Sequence, residues 1–187
     1  YFASDPAFKG QRRELVAQDY VYSFMRFADP AVKSPAWTWL ETFKFLGLSE
    51  RRKEALDAKK PFDYDRPLEG IRALDRYTIQ FTMAEPSPRF ITSALAGSDL
   101  TGAVAREVVE HYGAEIMAHP VGTGPFRLAQ WRRSSFIALE RSPEFREMLW
   151  QSDPEPDDAE AQAIVKRLQG KRIPLIDRVE ISIIEEN

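Results

Sequence analysis

The sequence has 187 residues, of which 43% are hydrophobic and 12% aromatic; this composition indicates a folded globular chain, because disordered segments are poor in aromatic residues. Its 29 acidic and 26 basic residues give a net charge of −3, which gives no reason to expect a nucleic acid or an anionic membrane as a partner. The absence of cysteine excludes disulfides, thiolate catalysis and cysteine-ligated metal sites, and no apolar run reaches the roughly 18 residues that a membrane span needs.

The first part of the chain predicts helices. Apolar residues at helical spacing predict an amphipathic helix over 17–28, with Asp19 in its first turn and Asp29-Pro30 as its stop. Ser34-Pro35 is typical of a helix start, with Ser34 as the N-cap, and predicts a second helical stretch that carries Trp37, Trp39, Leu40, Phe43 and Phe45. The polar stretch 50–60 predicts a short exposed helix.

Hairpins and helices alternate in the remainder. Apolar and polar residues alternate in the second half of 71–83, which predicts a hairpin whose turn contains Asp75-Arg76. Further predicted elements are helical stretches at 88–95 and 103–112 with Gly113 as a C-cap, a hairpin at 126–131 and 135–140, an acidic loop at 152–158, a helix at 159–168 that stops at Gly170, and a last strand with Val179, Ile181 and Ile183. Because the strands come as hairpins rather than βαβ units, the predicted fold class is α+β, with a mixed sheet and surrounding helices.

The sequence contains no recognisable catalytic or metal-binding constellation. His111 and His119 are eight residues apart and would need a further carboxylate ligand to hold a metal, so we interpret them as surface or capping residues. The acidic run 153–158 lacks the glycine and closing glutamate of a helix–loop–helix calcium site. No nucleophile and base form a known motif. We therefore expect no catalytic residues, no metal and no cofactor.

Gly122-Thr123-Gly124-Pro125 is the most conspicuous local motif. A glycine-rich loop cradles phosphate when a helix N-terminus lies behind it, whereas Pro125 here leads into a predicted strand. We favour a tight turn into the hairpin, in which each glycine adopts a backbone geometry that other residues resist, over direct anion binding.

Two tryptophans lie in the second helical stretch. Trp37 and Trp39 are two residues apart, so they cannot both point to one face of a helix. We expect one of them at the surface or in a ligand cleft.

Several stretches, in order, resemble the bacterial extracellular solute-binding proteins that serve oligopeptide, dipeptide and nickel ABC importers. Ala17 to Phe24 with Arg26 and Asp29-Pro30 resembles a helix of that family, although Val16 replaces its usual capping Thr. The hairpin segment 70–79, followed by Glu85-Pro86-Ser87-Pro88, resembles a second family motif. The most specific match is His119-Pro120-Val121-Gly122-Thr123-Gly124-Pro125-Phe126, and weaker matches follow at 139–145 and 176–179.

The resemblance implies a two-lobed periplasmic binding protein of type II, the peptide-binding class, that closes on its ligand around a hinge. Members are much longer than this chain, and its ends at Tyr1 and Asn187 look cut, so we expect a fragment of the first lobe with its signal peptide outside it. Within that lobe, about 46–170 would form the smaller subdomain, and 1–45 with 171–187 the main sheet subdomain. The implied partners are a peptide or other small solute and a membrane permease with its ATPase, in the periplasm, with no nucleic acid.

The resemblance also implies candidate ligand-binding residues in two segments. These are Ser34, Ala36 and Trp37 in the first, and Gly97, Ser98 and Asp99 in the second. An ordinary surface loop and a core tryptophan remain the alternative interpretation. Gly122, Thr123, Gly124 and Pro125 carry over as structural residues. For the whole protein, a receptor that feeds a sensor stays open beside an importer, and an enzyme is disfavoured because no catalytic constellation is present.

Overall fold

The computed structural model describes residues 1–184, which form two compact units. One unit is Glu14–Glu110, and the other combines Tyr1–Arg13 with the chain from His111 onward. The helices and small sheets of both units confirm the predicted α+β class. The subdomain bounds at about 46 and 170 differ from these unit bounds, and the assignment to subdomains of a larger lobe stays a prediction.

The Glu14–Glu110 unit is mainly helical. Its elements are α1 (Ala17–Ala28), α2 (Trp37–Glu41), α3 (Leu48–Ala58), β1 (Ile71–Ala73), β2 (Ile79–Phe81), a π-helical turn (Phe90–Leu95), a 3-10 turn (Asp99–Thr101) and the start of α4 (Arg106–Tyr112). Strands β1 and β2 form an antiparallel hairpin that pairs Ile71 with Phe81.

The other unit is built around a second sheet. Its elements are 3-10 turns at Pro6–Phe8 and Gly113–Ala118, β3 (Phe126–Arg132), β4 (Phe136–Arg141), α5 (Ala159–Leu168) and β5 (Arg178–Ser182). The sheet order is β3-β4-β5 and both pairings are antiparallel, with an irregularity between Leu128 and Gln130. A mixed sheet, which needs a parallel pair, is therefore not formed within residues 1–184.

Helix α1 organises the first unit. Val16 at the N-cap makes no side-chain hydrogen bond, and the start of the helix is satisfied instead by Asp19, whose Oδ2 accepts the Val16 N–H at 2.8 Å. Asp19 is 3% exposed, so this carboxylate serves the helix start rather than solvent. The helix ends at Asp29, whose ψ of 116° leaves the helical region before Pro30.

Aromatic side chains form the core against α1. Phe24 is fully buried, and its ring centroid lies 5.0 Å from that of Phe81 and 6.0 Å from that of Phe45. Each such pair adds about 0.5–1.5 kcal/mol beyond the area it buries. The buried residues of this core are Val21, Phe24, Met25, Ala28, Trp37, Leu40, Phe43, Phe45, Leu48, Phe62, Leu68, Ile71, Phe90 and Ala94. The core fixes β2 and the π-helical turn relative to α1.

Most predicted elements are confirmed, and two local predictions were wrong. The second helical stretch is only five residues long, because Lys44 adopts a left-handed φ of 51° and Phe45 then bridges Met83. Ser34 is not the N-cap, because α2 begins at Trp37 and Ala36 is the residue before it. Gly113 follows the last residue of α4 with a left-handed φ of 51°, as predicted for a C-cap, and a 3-10 turn then continues through Ala118. The turn of the first hairpin contains Asp75 as predicted, and its carboxylate accepts the Tyr77 N–H at 2.8 Å.

Candidate functional site

Two cavities open beside α1 in the Glu14–Glu110 unit, and Gly102 lines both of them. The larger has a volume of about 430 Å³ and is lined by Tyr20, Ile79, Phe81, Leu95, Ser98, Asp99, Thr101 and Gly102. The smaller has a volume of about 120 Å³ and is lined by Ser23, Arg26, Phe27, Val32, Ser34, Leu100, Gly102 and Val104. Only the larger falls in the roughly 300–1,000 Å³ range of small-molecule sites.

The segment that separates the cavities is held by side-chain hydrogen bonds. The Ser98 hydroxyl accepts the Leu100 N–H at 3.1 Å and caps the 3-10 turn. The buried Thr101 hydroxyl donates to the Ala94 carbonyl at 2.6 Å. Ser23 on α1 accepts the Val104 N–H at 2.8 Å. These bonds position the walls of both cavities on α1 and on the π-helical turn.

Gly97 lies where the π-helical turn ends. The turn closes with a 2.9 Å hydrogen bond from the Ala96 N–H to the Ile91 carbonyl. A Cβ at Gly97 would lie 2.5 Å from the Thr92 carbonyl oxygen, which is closer than real side chains approach. The residue at this position must therefore be glycine for the chain to turn into Ser98 and Asp99.

The segment leading to Ser34 is fixed by Asp29. One carboxylate oxygen of Asp29 accepts the Ala31 N–H at 2.8 Å, and the other accepts the Tyr64 hydroxyl at 2.6 Å. Burial, and then the hydrogen bond to Asp29, hold the pKa of Tyr64 well above its ordinary value. Ser34 itself accepts the Ala36 N–H at 3.3 Å.

The two cavities carry opposite charges. Arg26 contributes a guanidinium to the smaller cavity and Asp99 a carboxylate to the larger. Within residues 1–184, the Asp99 side chain makes no hydrogen bond or ion pair. The rest of the larger cavity wall is apolar or hydroxyl-bearing, so Asp99 is its single charged side chain among the described residues.

Four of the six candidate ligand-binding residues lie at or next to these cavities. Ser34 lines the smaller, Ser98 and Asp99 line the larger, and Gly97 forms the turn before them. Trp37 lines neither cavity: it is 8% exposed in the core, with the Arg52 guanidinium 5.0 Å from its ring centroid. Ala36 precedes α2 and also lines neither cavity. A ligand role for all six stays a prediction.

Sequence reasoning missed the apolar walls. Tyr20, Ile79, Phe81 and Leu95 have the spacing of core residues, and three of them do pack against the core. The sequence signal for Leu95 was its place at the end of a predicted helical stretch, two residues before Gly97. Nothing in the local pattern indicates that α1, β2 and the π-helical turn leave a cavity between them.

The motif Gly122-Thr123-Gly124-Pro125 leads into β3, as predicted. Its backbone is tied at both ends, since the Gly122 carbonyl accepts the Ala3 N–H and the Pro125 carbonyl accepts the Ser142 N–H, each at 2.8 Å. Neither glycine has a left-handed φ, and a Cβ at Gly124 would meet no atom within 4 Å. The geometric reason offered from the sequence is therefore not found, and the structural role of the motif stays a prediction.

A third cavity, of about 390 Å³, lies in the unit that contains β3–β5 and is lined by Asp5, His119, Arg127 and Glu140 among others. Its carboxylates already have partners: Asp5 accepts the Tyr112 hydroxyl at 3.0 Å, and Glu140 pairs with Arg178 at 2.7 Å. This cavity therefore has no unpaired carboxylate like Asp99 among its described lining residues. Within residues 1–184, no three His, Asp or Glu side chains cluster as metal ligands would, and no helix is long and apolar enough to cross a membrane.

The chain is similar to proteins of a known family. The family model described as bacterial extracellular solute-binding proteins, family 5 Middle, matches residues 11–187. The periplasmic oligopeptide-binding protein OppA of Escherichia coli K12 is 34% identical over 134 residues, which are 70% of this chain and 23% of that protein. This chain thus spans less than a quarter of the length of that relative.

Solved structures show the same fold. The structure of Haemophilus influenzae OppA in complex with RPPGFSPFR has a TM-score of 0.55 at 26% identity, covering 71% of this chain and 24% of that one. The unliganded open form of the periplasmic murein tripeptide-binding protein MppA has a TM-score of 0.60 at 20% identity, and the match covers 92% of this chain and 27% of that one. The second likeness shows that nearly the whole chain shares the fold of these proteins.

Proposed function

This chain belongs to the bacterial extracellular solute-binding proteins, family 5, and we propose that it forms part of the substrate-binding component of an ABC-type importer. In this proposal the whole protein captures peptides or related solutes in the periplasm by closing two lobes. It then delivers them to a membrane permease and its ATPase. The chain carries no catalytic step.

The observation that supports the proposal most strongly is the family match over residues 11–187. The choice of a peptide as ligand is supported by the relative named for oligopeptide binding and by the related structure with RPPGFSPFR. A periplasmic location is supported by the name of the same relative.

The ligand-facing surface that we propose is the wall around Gly102. Ser34 contributes to it from the segment after α1, and Gly97, Ser98 and Asp99 contribute from the segment after the π-helical turn. Trp37 and Ala36 line neither cavity, since Trp37 is buried in the core and Ala36 precedes α2. The hydrogen bonds of Ser23, Ser98 and Thr101 keep the wall rigid, so ligand capture needs no local refolding.

Closure of a second lobe over this wall would supply the remaining contacts and exclude water from the ligand. This chain alone is therefore expected to bind peptide weakly or not at all. Hydrated pockets for side chains would account for broad specificity, because water-mediated contacts adapt to different groups.

The proposal is tested on the full-length protein. Native mass spectrometry is expected to find peptides that copurify with it, and X-ray scattering is expected to show a smaller radius of gyration after a peptide pool is added. Deletion of the gene is expected to abolish peptide uptake. A protein that binds peptide while uptake persists in the deletion strain would instead be a sensing receptor, and a protein that neither binds peptide nor contracts would contradict the proposal.

A further inference from the structure

The larger cavity combines an apolar wall with one charge. Ile79, Phe81 and Leu95 provide aliphatic and aromatic surface, and Tyr20 adds a ring from α1. Asp99 is the single charged side chain among its described lining residues. This arrangement differs from that of the smaller cavity, in which the charge is the Arg26 guanidinium.

Asp99 is not needed for the turn in which it lies. Elsewhere in this unit, loop aspartates use their carboxylates locally: Asp75 accepts the Tyr77 N–H at 2.8 Å, and Asp63 accepts the Asp65 and Arg66 N–H groups at 3.0 and 3.1 Å. The 3-10 turn at Asp99–Thr101 is capped by the Ser98 hydroxyl instead. The Asp99 carboxylate is thus left without a partner among residues 1–184, at the wall of a cavity large enough for a ligand group.

An apolar wall with one unpaired carboxylate fits a group of matching chemistry. Such a group has a hydrocarbon stem, which gains from removal of apolar surface from water, and a cationic end, which pairs with the carboxylate. The aromatic rings of Tyr20 and Phe81 add to this preference, because the face of an aromatic ring attracts a cation. A neutral apolar group would leave Asp99 without an ion-pair partner, and an anionic group would be repelled.

We infer that the larger cavity binds a cationic group on an apolar stem, such as a lysine or arginine side chain of the captured peptide, and that Asp99 is its specificity-determining residue. The inference rests on the proposed function, because it names the class of peptide that this wall selects. The terminal amine of the peptide is a second source of a cationic group, and the experiment distinguishes it from a side chain.

The first arm tests the cavity without any peptide. The 187-residue chain is titrated with 1-hexylammonium or with 1-hexanol while the methyl NMR signals of Ile79 and Leu95 are followed. The ammonium is expected to bind about 1.5- to 5-fold more tightly than the alcohol, the range of a solvent-exposed ion pair. Asp99→Asn is expected to remove that difference, and Asp99→Glu to retain it.

Asp57→Asn is the matched control. Asp57 is exposed on α3, an element that lines neither cavity, so its replacement removes the same charge from the same unit. It is expected to leave the preference for the ammonium unchanged. Equal binding of ammonium and alcohol by the unmodified chain, or an equal loss with Asp57→Asn, would overturn the inference.

The second arm uses the full-length protein and peptides that differ in one side chain. Ala-Lys-Ala is expected to bind roughly tenfold or more tightly than Ala-norleucine-Ala. The reason is that closure of the second lobe would remove water from the charged hydrogen bond between the lysine ammonium and Asp99. Asp99→Asn is expected to bring the ratio close to one. N-acetylation of Ala-Lys-Ala leaves the Asp99 dependence intact if the side chain occupies the cavity, and abolishes it if the terminal amine does.

The two arms distinguish the inference from the proposed function. A full-length protein that binds no peptide, while hexylammonium still depends on Asp99, would contradict the proposed function and support the cavity assignment. A full-length protein that binds both peptides equally, with no effect of Asp99→Asn in either arm, would support the proposed function and overturn the inference.

Discussion

Ser23 Oγ accepts a 2.8 Å hydrogen bond from the backbone N–H of Val104, which lies 81 residues further along the chain. The same hydroxyl donates to the Asp19 carbonyl at 2.7 Å, so it bonds within α1 and also to the segment after Gly102. Because both residues line the smaller cavity, this bond fixes one wall of the proposed ligand surface.

Ser23→Ala is expected to lower the free energy of unfolding by about 1–3 kcal/mol, because it leaves the Val104 N–H without its partner. Chemical denaturation measures this loss, and hydrogen exchange is expected to become faster at the Val104 amide. Ser49→Ala is the control, since its hydroxyl makes an exposed bond to Glu41, and it is expected to change stability by less than about 0.5 kcal/mol. Similar losses in the two variants would contradict the role of Ser23.

Gly97→Ala is expected to destabilise the chain by about 1–3 kcal/mol, because the added methyl group would lie 2.5 Å from the Thr92 carbonyl oxygen. The matched control is Gly102→Ala, where an added Cβ meets no atom within 4 Å and φ is −60°. That variant is expected to be as stable as the unmodified chain or slightly more stable. Thermal unfolding distinguishes them, and an unchanged melting temperature for Gly97→Ala would show that the turn relaxes freely.

The raised pKa of Tyr64 predicts that the free energy of unfolding falls at alkaline pH. Its pKa is raised in the folded state by burial and by its bond to Asp29, so its stabilising contribution is complete below the ordinary tyrosine pKa of about 10 and is lost as the pH rises above it. Above that pH the free energy of unfolding is expected to fall by up to about 1.4 kcal/mol per pH unit for this group.

Tyr64→Phe is expected to flatten this alkaline decline. Some slope is expected to remain, because burial also raises the pKa of Tyr22. Tyr77→Phe, which removes a hydroxyl from a side chain that is 68% exposed, is the control. Denaturation at several pH values measures both slopes, and a Tyr64→Phe variant that declines as steeply as the unmodified chain would show that Tyr64 does not carry the effect.

Arg51 is expected to hold the loop before β1 in place. The side chain is 5% exposed and donates to the backbone carbonyls of Arg66 and Pro67, the second at 2.7 Å. Arg51→Met leaves these carbonyls without their donor and is expected to cost about 1–3 kcal/mol. Lys53→Met, on the exposed face of the same helix, is the control. Proteolysis within 61–67 is expected to quicken in the first variant only, and equal cleavage of both would contradict the prediction.

Elements set by local sequence signals were predictable, and elements set by long-range contacts were not. Helices α1 and α5 were predicted with their observed bounds, because an amphipathic period and a clear stop are local signals. Helix α2 was predicted too long, because the pairing of Phe45 with Met83 is a long-range contact that local spacing does not encode.

The candidate site was predictable only in part. Ser34, Ser98 and Asp99 were named through resemblance to a family, and the structure places them on cavity walls. The apolar walls were not found, since Tyr20, Ile79 and Phe81 have the pattern of core residues and their exposure depends on how three separate elements pack. The burial of Trp37 was not predictable for the same reason: it depends on how the elements pack, and the spacing between Trp37 and Trp39 does not encode it.

Calorimetric titration with a pool of short oligopeptides tests the central claim most directly, when the full-length protein and this 187-residue chain are measured side by side. The account predicts saturable micromolar or tighter binding by the full-length protein and no micromolar binding by the chain alone, because in the proposed mechanism a second lobe supplies the remaining contacts. Absence of peptide binding by the full-length protein, or equal affinity for the isolated chain, would contradict it.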